Sequence, residues 1–516
     1  MSSEFAAPIS RRQFVRLSAA AVAAIGLIQP TVARATAVTI RQMRPGTLTF
    51  VDVFEPKSYG DANGGIFSIR EGIGQGLAKV DFQSLLVPNL ATGWETRDAA
   101  FWRISLRPGV RFHNGVEMDA ASVAFNLQRL AESPDAVAAF RGASVGVEDA
   151  LTVAVRATRP VPFLPAILAD GKAVIYEPAA SFAADGSLIT PVGTGPFRLA
   201  DFRPGDRRVL EAHSAYWAGA PQLDEVQYLF VPQAQTRANM VRTGAADIAR
   251  VISPADASTL QTLPSVQVLT TGLSRVRLLW FNVQRGVTAD PVVRRALAHA
   301  IDRETMVQAV LENQGTLQPQ LHRPEYPWGN PSLLGLRYDP VLATALLEQA
   351  GFGPSNPLAF TLTTYTSRPE LPMMAQVIQE QLGRIGVRCE LSVLNDDVAM
   401  STAALRGELD ALIVARNPLF LFDPQANYES DYSTTGSYNL SRYTGLDQQI
   451  AAAGMVTDPS DRFARYRVME QQIIERDAAT VVLSSYVQID AVRVGVSGYQ
   501  PHPTDALAIT ELVTKR

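Results

Sequence analysis

Three segments of the chain show the hydrophobic pattern of β-strands. Residues 102–106 alternate between apolar and polar side chains, which predicts a strand with one buried face. Residues 277–281 form a short apolar run, as in strands that are buried on both faces. Residues 387–391 alternate as well and include the single cysteine, Cys389, which we interpret as a small buried side chain.

Four other segments repeat their apolar residues at helical spacing, namely residues 119–130, 291–300, 339–350 and 371–385. Asp119 stands where an N-cap is expected, and Gly351 and Gly386 stand where helices commonly stop. Because strands and helices alternate along the chain, the pattern favours an α/β fold.

The N-terminal 35 residues have the layout of an export signal. Arg11-Arg12 precede an apolar run at residues 17–28, and Ala33-Arg34-Ala35 form a small-residue cleavage motif. The paired arginines predict a twin-arginine signal, cleaved after Ala35. The run is shorter than the ~20 residues that a membrane anchor needs, and no later apolar run reaches 18 residues.

Composition and charge exclude several classes of protein. The 516 residues contain 46 Lys and Arg, 50 Asp and Glu, and one Cys, so an internal disulfide is impossible. Residues 1–35 hold four Arg and one Glu, so the chain that remains after cleavage carries a net charge of −7. An acidic chain lacks the basic surface expected of a nucleic-acid-binding protein.

Ser144 lies in a G-x-S-x-G motif, Gly142-Ala143-Ser144-Val145-Gly146. A nucleophile of this kind sits between a strand and a following helix. Here residues 136–140 suggest a helix end before the motif, and residues 151–155 suggest a strand after it. The order is inverted, so a connecting segment is the better interpretation.

Two further patterns give no support to a metal or phosphate site. The five histidines, His113, His213, His299, His322 and His502, have no metal-binding spacing in sequence. Gly72, Gly74 and Gly76 alternate, but no clear strand precedes them and no Gly-Lys-Ser/Thr follows. We therefore expect no metal and no cofactor.

An ordered series of longer phrases is more informative. It includes Leu106-Arg107-Pro108-Gly109-Val110-Arg111-Phe112-His113-Asn114-Gly115, Pro191-Val192-Gly193-Thr194-Gly195-Pro196-Phe197, Tyr216-Trp217-Ala218-Gly219-Ala220-Pro221, Phe281-Asn282, Tyr338-Asp339-Pro340 and Leu346-Leu347-Glu348-Gln349-Ala350-Gly351-Phe352. In this order, over residues 66–495, the series resembles the family 5 solute-binding proteins of ABC importers, which are peptide, nickel and opine receptors.

The resemblance implies an α/β fold of the two-lobed periplasmic binding protein type II-like class (large cluster C type) with two hinge strands. The first lobe would comprise residues 36–273, completed by residues 485–516, and the second lobe residues 274–484. The hinge strands are expected near residues 275–281 and 481–490, which both have strand character.

The resemblance also implies a function. The chain would be the periplasmic substrate-binding component of an ABC importer, and it would enclose a small solute between its lobes and deliver it to the membrane permease. Its partners would be the permease and ATPase complex and the twin-arginine export machinery. We expect a monomer that performs no chemistry.

The residues around an Asp-Pro pair bear on the ligand. In the peptide-binding relatives, an acidic residue before such a pair holds the ammonium end of the peptide. If Asp423-Pro424 sets the register, Phe420 occupies that position, and an aromatic ring cannot replace a carboxylate. Pro418 and Gln425 likewise replace the Trp and His of nickel receptors.

The same stretch offers Arg416, Asn417, Phe420 and Phe422 as candidate ligand-binding residues. Arginine pairs well with a carboxylate, and aromatic rings cover apolar or planar groups. By resemblance to the metal-chelate and opine receptors, Arg141 and Lys172 are added to this set. Tyr59 is added because it belongs to a first-lobe loop that often reaches the ligand in the resembling family, and Tyr486 because it lies on the predicted hinge. The hypothesis is a receptor for a small carboxylated solute such as a modified peptide, an opine-like conjugate or a metal chelate.

Two alternatives remain open at this point. One is a secreted serine hydrolase that uses Ser144. The other is a receptor-like protein that has lost its transporter and acts as a sensor or chaperone.

Overall fold

The structure is a computed structural model, and it describes residues 46–60, 64–134, 136–419 and 421–516. The predicted signal at residues 1–35 and the candidate residue Phe420 lie outside the described residues. The strands that the structure describes are, in chain order, β1 (Thr47–Asp52), β2 (Ala78–Val80), β3 (Leu86–Pro88), β4 (Ala91–Thr96), β5 (Phe101–Leu106), β6 (Ser144–Asp149), β7 (Thr152–Arg156), β8 (Phe197–Arg203), β9 (Arg207–Ala212), β10 (Glu225–Phe230), β11 (Ile248–Ala249), β12 (Val266–Phe281), β13 (Gly315–Thr316), β14 (Ala359–Tyr365), β15 (Arg388–Leu394), β16 (Ala411–Arg416), β17 (Thr480–Arg493), β18 (Val496–Ser497) and β19 (Thr514–Lys515).

The described α-helices cover the sheets and fill the connections between strands. They are Gly64–Arg70, Ala120–Glu132, Leu164–Ile167, Pro178–Ser181, Ala234–Thr243, Pro254–Leu260, Pro291–His299, Arg303–Leu311, Pro340–Gln349, Glu370–Arg384, Asp397–Leu405, Pro424–Asp431, Asp447–Ala453 and Pro459–Gln471. Two 3₁₀ turns, Gly171–Ala173 and Gly286–Ala289, and a π-helical turn, Gln472–Arg476, complete the set.

The predicted helices are confirmed, together with the residues that begin and end them. The Asp119 side chain accepts a hydrogen bond from the Ser122 amide and caps the helix that starts at Ala120. Gly351 and Gly386 follow their helices with φ of +85° and +80°, a conformation that favours glycine.

The two longest strands, β12 and β17, form an antiparallel pair in the large mixed sheet. Strands follow one another across this sheet in the order β15-β14-β16-β12-β17-β11-β1-β10-β9-β8, with β13 also paired to β17. We call β12 the first hinge strand and β17 the second hinge strand. Together they join the strands β14–β16 on one side to the strands β1 and β8–β11 on the other, so the predicted hinge strands are confirmed.

Separate hydrophobic cores lie on the two sides of the hinge. One core is built, apart from Val80, from residues between 276 and 483 and belongs to the second lobe. Another packs the helix Ala120–Glu132 with the four-stranded sheet β4-β5-β7-β6 and belongs to the first lobe. Because each lobe has apolar packing of its own, the fold is the two-lobed α/β architecture with two hinge strands.

Candidate functional site

A cavity of about 700 Å³ lies where the two lobes and the hinge meet. Its walls come from the first lobe (within residues 66–89 and 166–171, with Pro196 and Tyr216) and the first hinge strand (residues 273–275). The second lobe contributes Ala415, Arg416, Asn417, Leu419 and Phe422, with Asp397 and Tyr438, and a C-terminal segment contributes residues within 502–512. The volume lies in the range of pockets that enclose small organic ligands.

The alternating glycines form part of the first-lobe wall. A Cβ atom on Gly74 would lie 2.4 Å from Val174 Cγ1, and one on Gly76 would lie 2.5 Å from the Leu168 carbonyl oxygen. Glycine is required at both positions because Val174 and Leu168 occupy the space that a Cβ atom would need. The sequence pattern gave no support to a phosphate site, and in the fold these glycines line the cavity.

Gln75, between these glycines, also lines the cavity and is held by three hydrogen bonds. Its Oε1 accepts from Thr194 Oγ1 at 3.0 Å and from Trp217 Nε1 at 2.9 Å, and its Nε2 donates to Tyr216 Oη at 3.0 Å. These three contacts therefore hold the side-chain amide of Gln75 in one orientation within the wall.

A bulge in the first hinge strand brings three consecutive residues to the cavity. Gly272 is opposite Val487 and Val276 is opposite Ser485, so Leu273, Ser274 and Arg275 stand against a single residue of the second hinge strand. In a regular strand, neighbouring side chains point to opposite faces. The bulge removes this constraint, and all three residues line the cavity.

Ser274 connects three parts of the wall, namely the hinge, the C-terminal segment and the second lobe. Its amide donates to the Pro503 carbonyl oxygen of the C-terminal segment at 3.3 Å. Its hydroxyl donates to Asn417 Oδ1 of the second lobe at 3.1 Å, and Asn417 Oδ1 also accepts from the Leu419 amide at 3.1 Å. The predicted residue Asn417 thus lines the cavity and contacts the hinge.

Arg275 carries a positive charge into this wall. Within the part of the chain that the structure describes, its guanidinium makes no hydrogen bond or ion pair. Burial, and next the repulsion from Arg368, lower the pKa of Arg275. The sequence analysis predicted a hinge strand here but did not include Arg275 among the candidate ligand-binding residues. The signal that could have identified it is a charged residue next to a run of apolar ones.

The predicted residue Arg416 also lines the cavity, but its guanidinium is already paired. Its Nε donates to Asp431 Oδ2 at 2.8 Å and a terminal nitrogen donates to Asp431 Oδ1, while the group lies 4.1 Å from the centroid of the Tyr438 ring. Although burial lowers it, the attraction of Asp431 leaves the pKa of Arg416 above its ordinary value.

Phe422 lines the same wall, and its role as an aromatic cover for a ligand stays a prediction. Its ring packs edge-on against Trp328 and Tyr326, with centroid distances of 5.0 and 5.8 Å. The fold therefore brings Arg416, Asn417 and Phe422 together at the cavity.

Tyr59 and Arg141 are not among the residues that line the cavity. Tyr59 is buried in a core of the first lobe, and its hydroxyl donates to Glu71 Oε2. Arg141 is exposed on a loop, where it donates to the Pro134 carbonyl oxygen at 2.8 Å. Their contact with a ligand stays a prediction.

Lys172 and Tyr486 are nearer the site without being part of the lining. Lys172 follows the lining residues Asp170 and Gly171, and its amide donates to Asp170 Oδ1 at 2.8 Å. Tyr486, on the second hinge strand, donates to Glu370 Oε1 at 2.6 Å and lies 3.5 Å below the guanidinium of Arg277. Their roles as ligand contacts also stay predictions.

An ion-pair network fixes the C-terminal segment at the cavity. Arg70 donates to Asp505 Oδ2 at 2.7 Å, and Arg250 donates to Asp505 Oδ1 and to Asp52 Oδ2. Two arginines and two carboxylates balance, so this network adds no net charge to the site.

Other motifs from the sequence lie elsewhere. His113 and His213 come together, with ring centroids 5.0 Å apart, but both rings hydrogen-bond the Gly195 carbonyl oxygen. Burial lowers the pKa of His113 to about 3. Among the described residues, no group of three or more His, Cys, Asp or Glu side chains is arranged to hold a metal ion.

Ser144 begins the outer strand β6 of the four-stranded sheet and is exposed. The strand follows the serine, so the strand-serine-helix order of a nucleophile elbow is not present there. Separately, the helices that the structure describes are all too short or too polar to span a bilayer.

Comparisons with known proteins agree with this architecture. The family model described as "Bacterial extracellular solute-binding proteins, family 5 Middle" matches residues 86–439. The glutathione-binding protein GsiB of Salmonella paratyphi A is 25% identical over 457 residues, which cover 84% of this chain and 87% of that protein.

Two solved structures extend the similarity to the fold. A nickel ABC transporter protein from Bacillus halodurans has a TM-score of 0.78 and 26% identity, over 91% of this chain and 99% of that one. NikA from Brucella suis, in complex with Fe(III)-EDTA, has a TM-score of 0.82 and 22% identity, over 91% of this chain and 100% of that one.

Proposed function

The chain belongs to family 5 of the bacterial extracellular solute-binding proteins, and we propose that its cavity captures a peptide, an opine-like conjugate or a metal chelate. As a family member it is the periplasmic substrate-binding component of an ABC importer, which delivers its solute to a permease and ATPase complex.

The composition of the cavity wall is the observation that carries the proposal. A solute in the cavity touches the first lobe, the hinge, the second lobe and the C-terminal segment at once. A ligand that contacts both lobes binds the closed form more tightly than the open form and therefore favours closure. Arg416, Asn417 and Phe422 are proposed second-lobe contacts.

The relatives guide the choice of test solutes. One is named for glutathione, a tripeptide, and another for nickel. Binding of glutathione, dipeptides, N-(1-carboxyethyl) amino acids and nickel-histidine to the purified protein is measured by titration calorimetry. We expect at least one of them to bind with a dissociation constant in the micromolar range or below.

A cavity-filling variant tests the location. Ala506 lines the cavity on the C-terminal segment, so Ala506→Trp is expected to reduce affinity for the bound solute at least tenfold. Ala452→Trp is the matched control, because Ala452 is exposed on the helix Asp447–Ala453. Equal loss of affinity in both variants, or in neither, would place the solute outside this cavity.

We also propose that the chain reaches the periplasm by the twin-arginine route. Arg11-Arg12 and the apolar run after them support this. Replacement of both arginines by lysine keeps the charge, and it should leave the precursor in the cytoplasm on fractionation. A periplasmic mature protein from the lysine variant would contradict this route.

We propose that one lobe comprises residues 36–273 with 485–516 and the other residues 274–484, because the hinge strands cross between separate cores there.

We propose that the protein is a monomer in solution, which light scattering at micromolar concentration tests. A stable dimer would contradict it.

We further propose that the protein transforms no substrate. The exposed, edge-strand position of Ser144 supports this over a hydrolase. A fluorophosphonate probe should leave the folded protein unlabelled, and labelling that is lost in Ser144→Ala would favour the hydrolase alternative. Import of the solute into cells that requires both this protein and an ABC permease would exclude a separate sensor or chaperone role.

A further inference from the structure

The bulge of the first hinge strand presents a cationic side chain to the cavity. We propose that Arg275 binds a carboxylate of the captured solute and is the main anion anchor of the site. This inference rests on the proposed function, since it assigns a chemical class to the solute of the same cavity.

The charges around Arg275 support the assignment. The carboxylate with the largest attraction for Arg275 is Asp505, and its oxygens already accept from Arg70 and Arg250. The cation Arg368 is near enough to Arg275 to repel it, and it adds positive charge there. Asp505 is thus engaged by two other arginines, and among the described residues the guanidinium of Arg275 makes no ion pair.

Arg416 is a weaker candidate for the same role. Asp431 is buried and engages two nitrogens of the Arg416 guanidinium. A carboxylate that bound Arg416 would have to compete with Asp431 in a low-dielectric position, where displacing a paired charge is costly. The pair therefore shapes the wall and leaves little positive charge for a solute.

The side chains that line the cavity with Arg275 indicate the chemistry of the rest of the ligand. Leu273, Leu419, Phe422 and Leu507 contribute apolar surface to the same cavity. A guanidinium can bind a carboxylate through two parallel N–H···O hydrogen bonds, whereas an ester cannot supply the matching charge. The chemistry therefore selects a solute with a carboxylate next to an apolar or planar body.

The experiment compares matched probes with matched variants. Glutathione, alanyl-phenylalanine and an N-(1-carboxyethyl) amino acid are titrated as free acids and as methyl esters into the wild type, Arg275→Met and Arg388→Met. Arg388 is exposed on β15 and serves as the control for the loss of one arginine. Thermal unfolding and circular dichroism verify that each variant is folded.

We expect the wild type and Arg388→Met to bind at least one acid about 30-fold more tightly than its ester, as a charge-assisted hydrogen-bond pair predicts. Arg275→Met should bind the acid as weakly as the ester. Arg275→Lys should recover part of the preference, because it keeps the charge and loses the planar geometry.

The outcomes separate this inference from the proposed function. If Arg275→Met binds the acid as tightly as the wild type does, or if the wild type binds acid and ester equally, capture stands and the anchor is wrong. If no probe binds the wild type, the proposed solute classes themselves are contradicted. An Ala506→Trp variant that loses binding while Arg275→Met keeps it would also reject the anchor.

Discussion

At the scale of single residues, Arg275 and Arg416 of the cavity wall differ in the partners that the fold gives them. Arg416 is held by Asp431, whereas the described residues offer Arg275 no such partner. A buried charge without a partner costs stability, and a buried ion pair becomes costly when one member is removed. The same substitution should therefore change stability in opposite directions at these positions.

For the unliganded protein, we expect Arg275→Met to raise the free energy of unfolding by about 1 kcal/mol, because methionine fills a similar volume without the desolvated charge. Arg416→Met should lower it by about 3 kcal/mol, because it leaves Asp431 buried and unpaired. Urea denaturation without ligand gives both values, and a loss of stability in both variants would contradict the description of Arg275.

Gly74 is a position at which the addition of a single Cβ atom should destabilise the protein. A Cβ there would lie 2.4 Å from Val174 Cγ1 and 2.6 Å from Ser68 Oγ, so Gly74→Ala should destabilise the protein by about 2 kcal/mol and lower solute affinity. Gly383→Ala is the control, since a Cβ on this helical glycine meets nothing within 4 Å, and it should be neutral or stabilising. Thermal unfolding distinguishes the two.

At the scale of structural elements, the C-terminal segment is the part of the wall with the least regular structure. His502 fixes its start, since its Nε2 lies 3.2 Å from the Val80 carbonyl oxygen and its Nδ1 accepts from the Thr504 amide at 3.2 Å. This arrangement requires a neutral ring with its proton on Nε2. Burial lowers the pKa of His502 to about 4 from the ordinary value of 6.5.

The depressed pKa of His502 predicts a loss of stability in acid. Above pH 6.5 the ring is neutral in both states, and as the pH falls from 6.5 towards 4 the unfolded state takes up the proton first. Between pH 7 and 4.5 this linkage should lower the free energy of unfolding by about 2 kcal/mol. Urea denaturation of His502→Gln should show a smaller decrease than the wild type, and identical decreases would contradict the assignment.

At the scale of the whole molecule, contacts between the lobes bear on closure. Arg159 of the first lobe lies 3.0 Å from Glu429 of the second lobe, and Leu421 and Ala426 of the second lobe pack into a first-lobe core. These residues are not among those that line the cavity, so their contacts stabilise this arrangement of the lobes independently of any solute.

Glu429→Gln is expected to weaken solute binding only two- to threefold, because a partly exposed ion pair contributes less than about 1 kcal/mol. Glu408→Gln is the control, since the exposed Arg406–Glu408 pair lies within the second lobe. Calorimetry with the best-binding probe of the acid panel measures the affinities. A loss of affinity of more than tenfold, or an equal loss in the control, would contradict a modest contribution of the Arg159–Glu429 pair to the contact between the lobes.

Local sequence was sufficient for the elements and for the family. Caps such as Asp119, stops such as Gly351 and the apolar run at residues 277–281 act through neighbours in the chain, and the ordered phrases identified the two-lobed fold. Arg416, Asn417 and Phe422 were also found from one continuous stretch, because they come to the cavity together.

Tertiary structure decided which of these residues have a charge or a surface left for a solute. Asp431 engages Arg416, and Glu71 and Glu370 engage Tyr59 and Tyr486. Arg416 and Asp431 are 15 residues apart in the chain, and Tyr486 and Glu370 are 116 apart. Hydrophobic periodicity reports only on near neighbours in the chain, so it cannot predict these two pairings. The exposure of Arg275 to the cavity depends on a bulge against a strand some 200 residues later, since only strand pairing sets the register that turns a side chain towards one face.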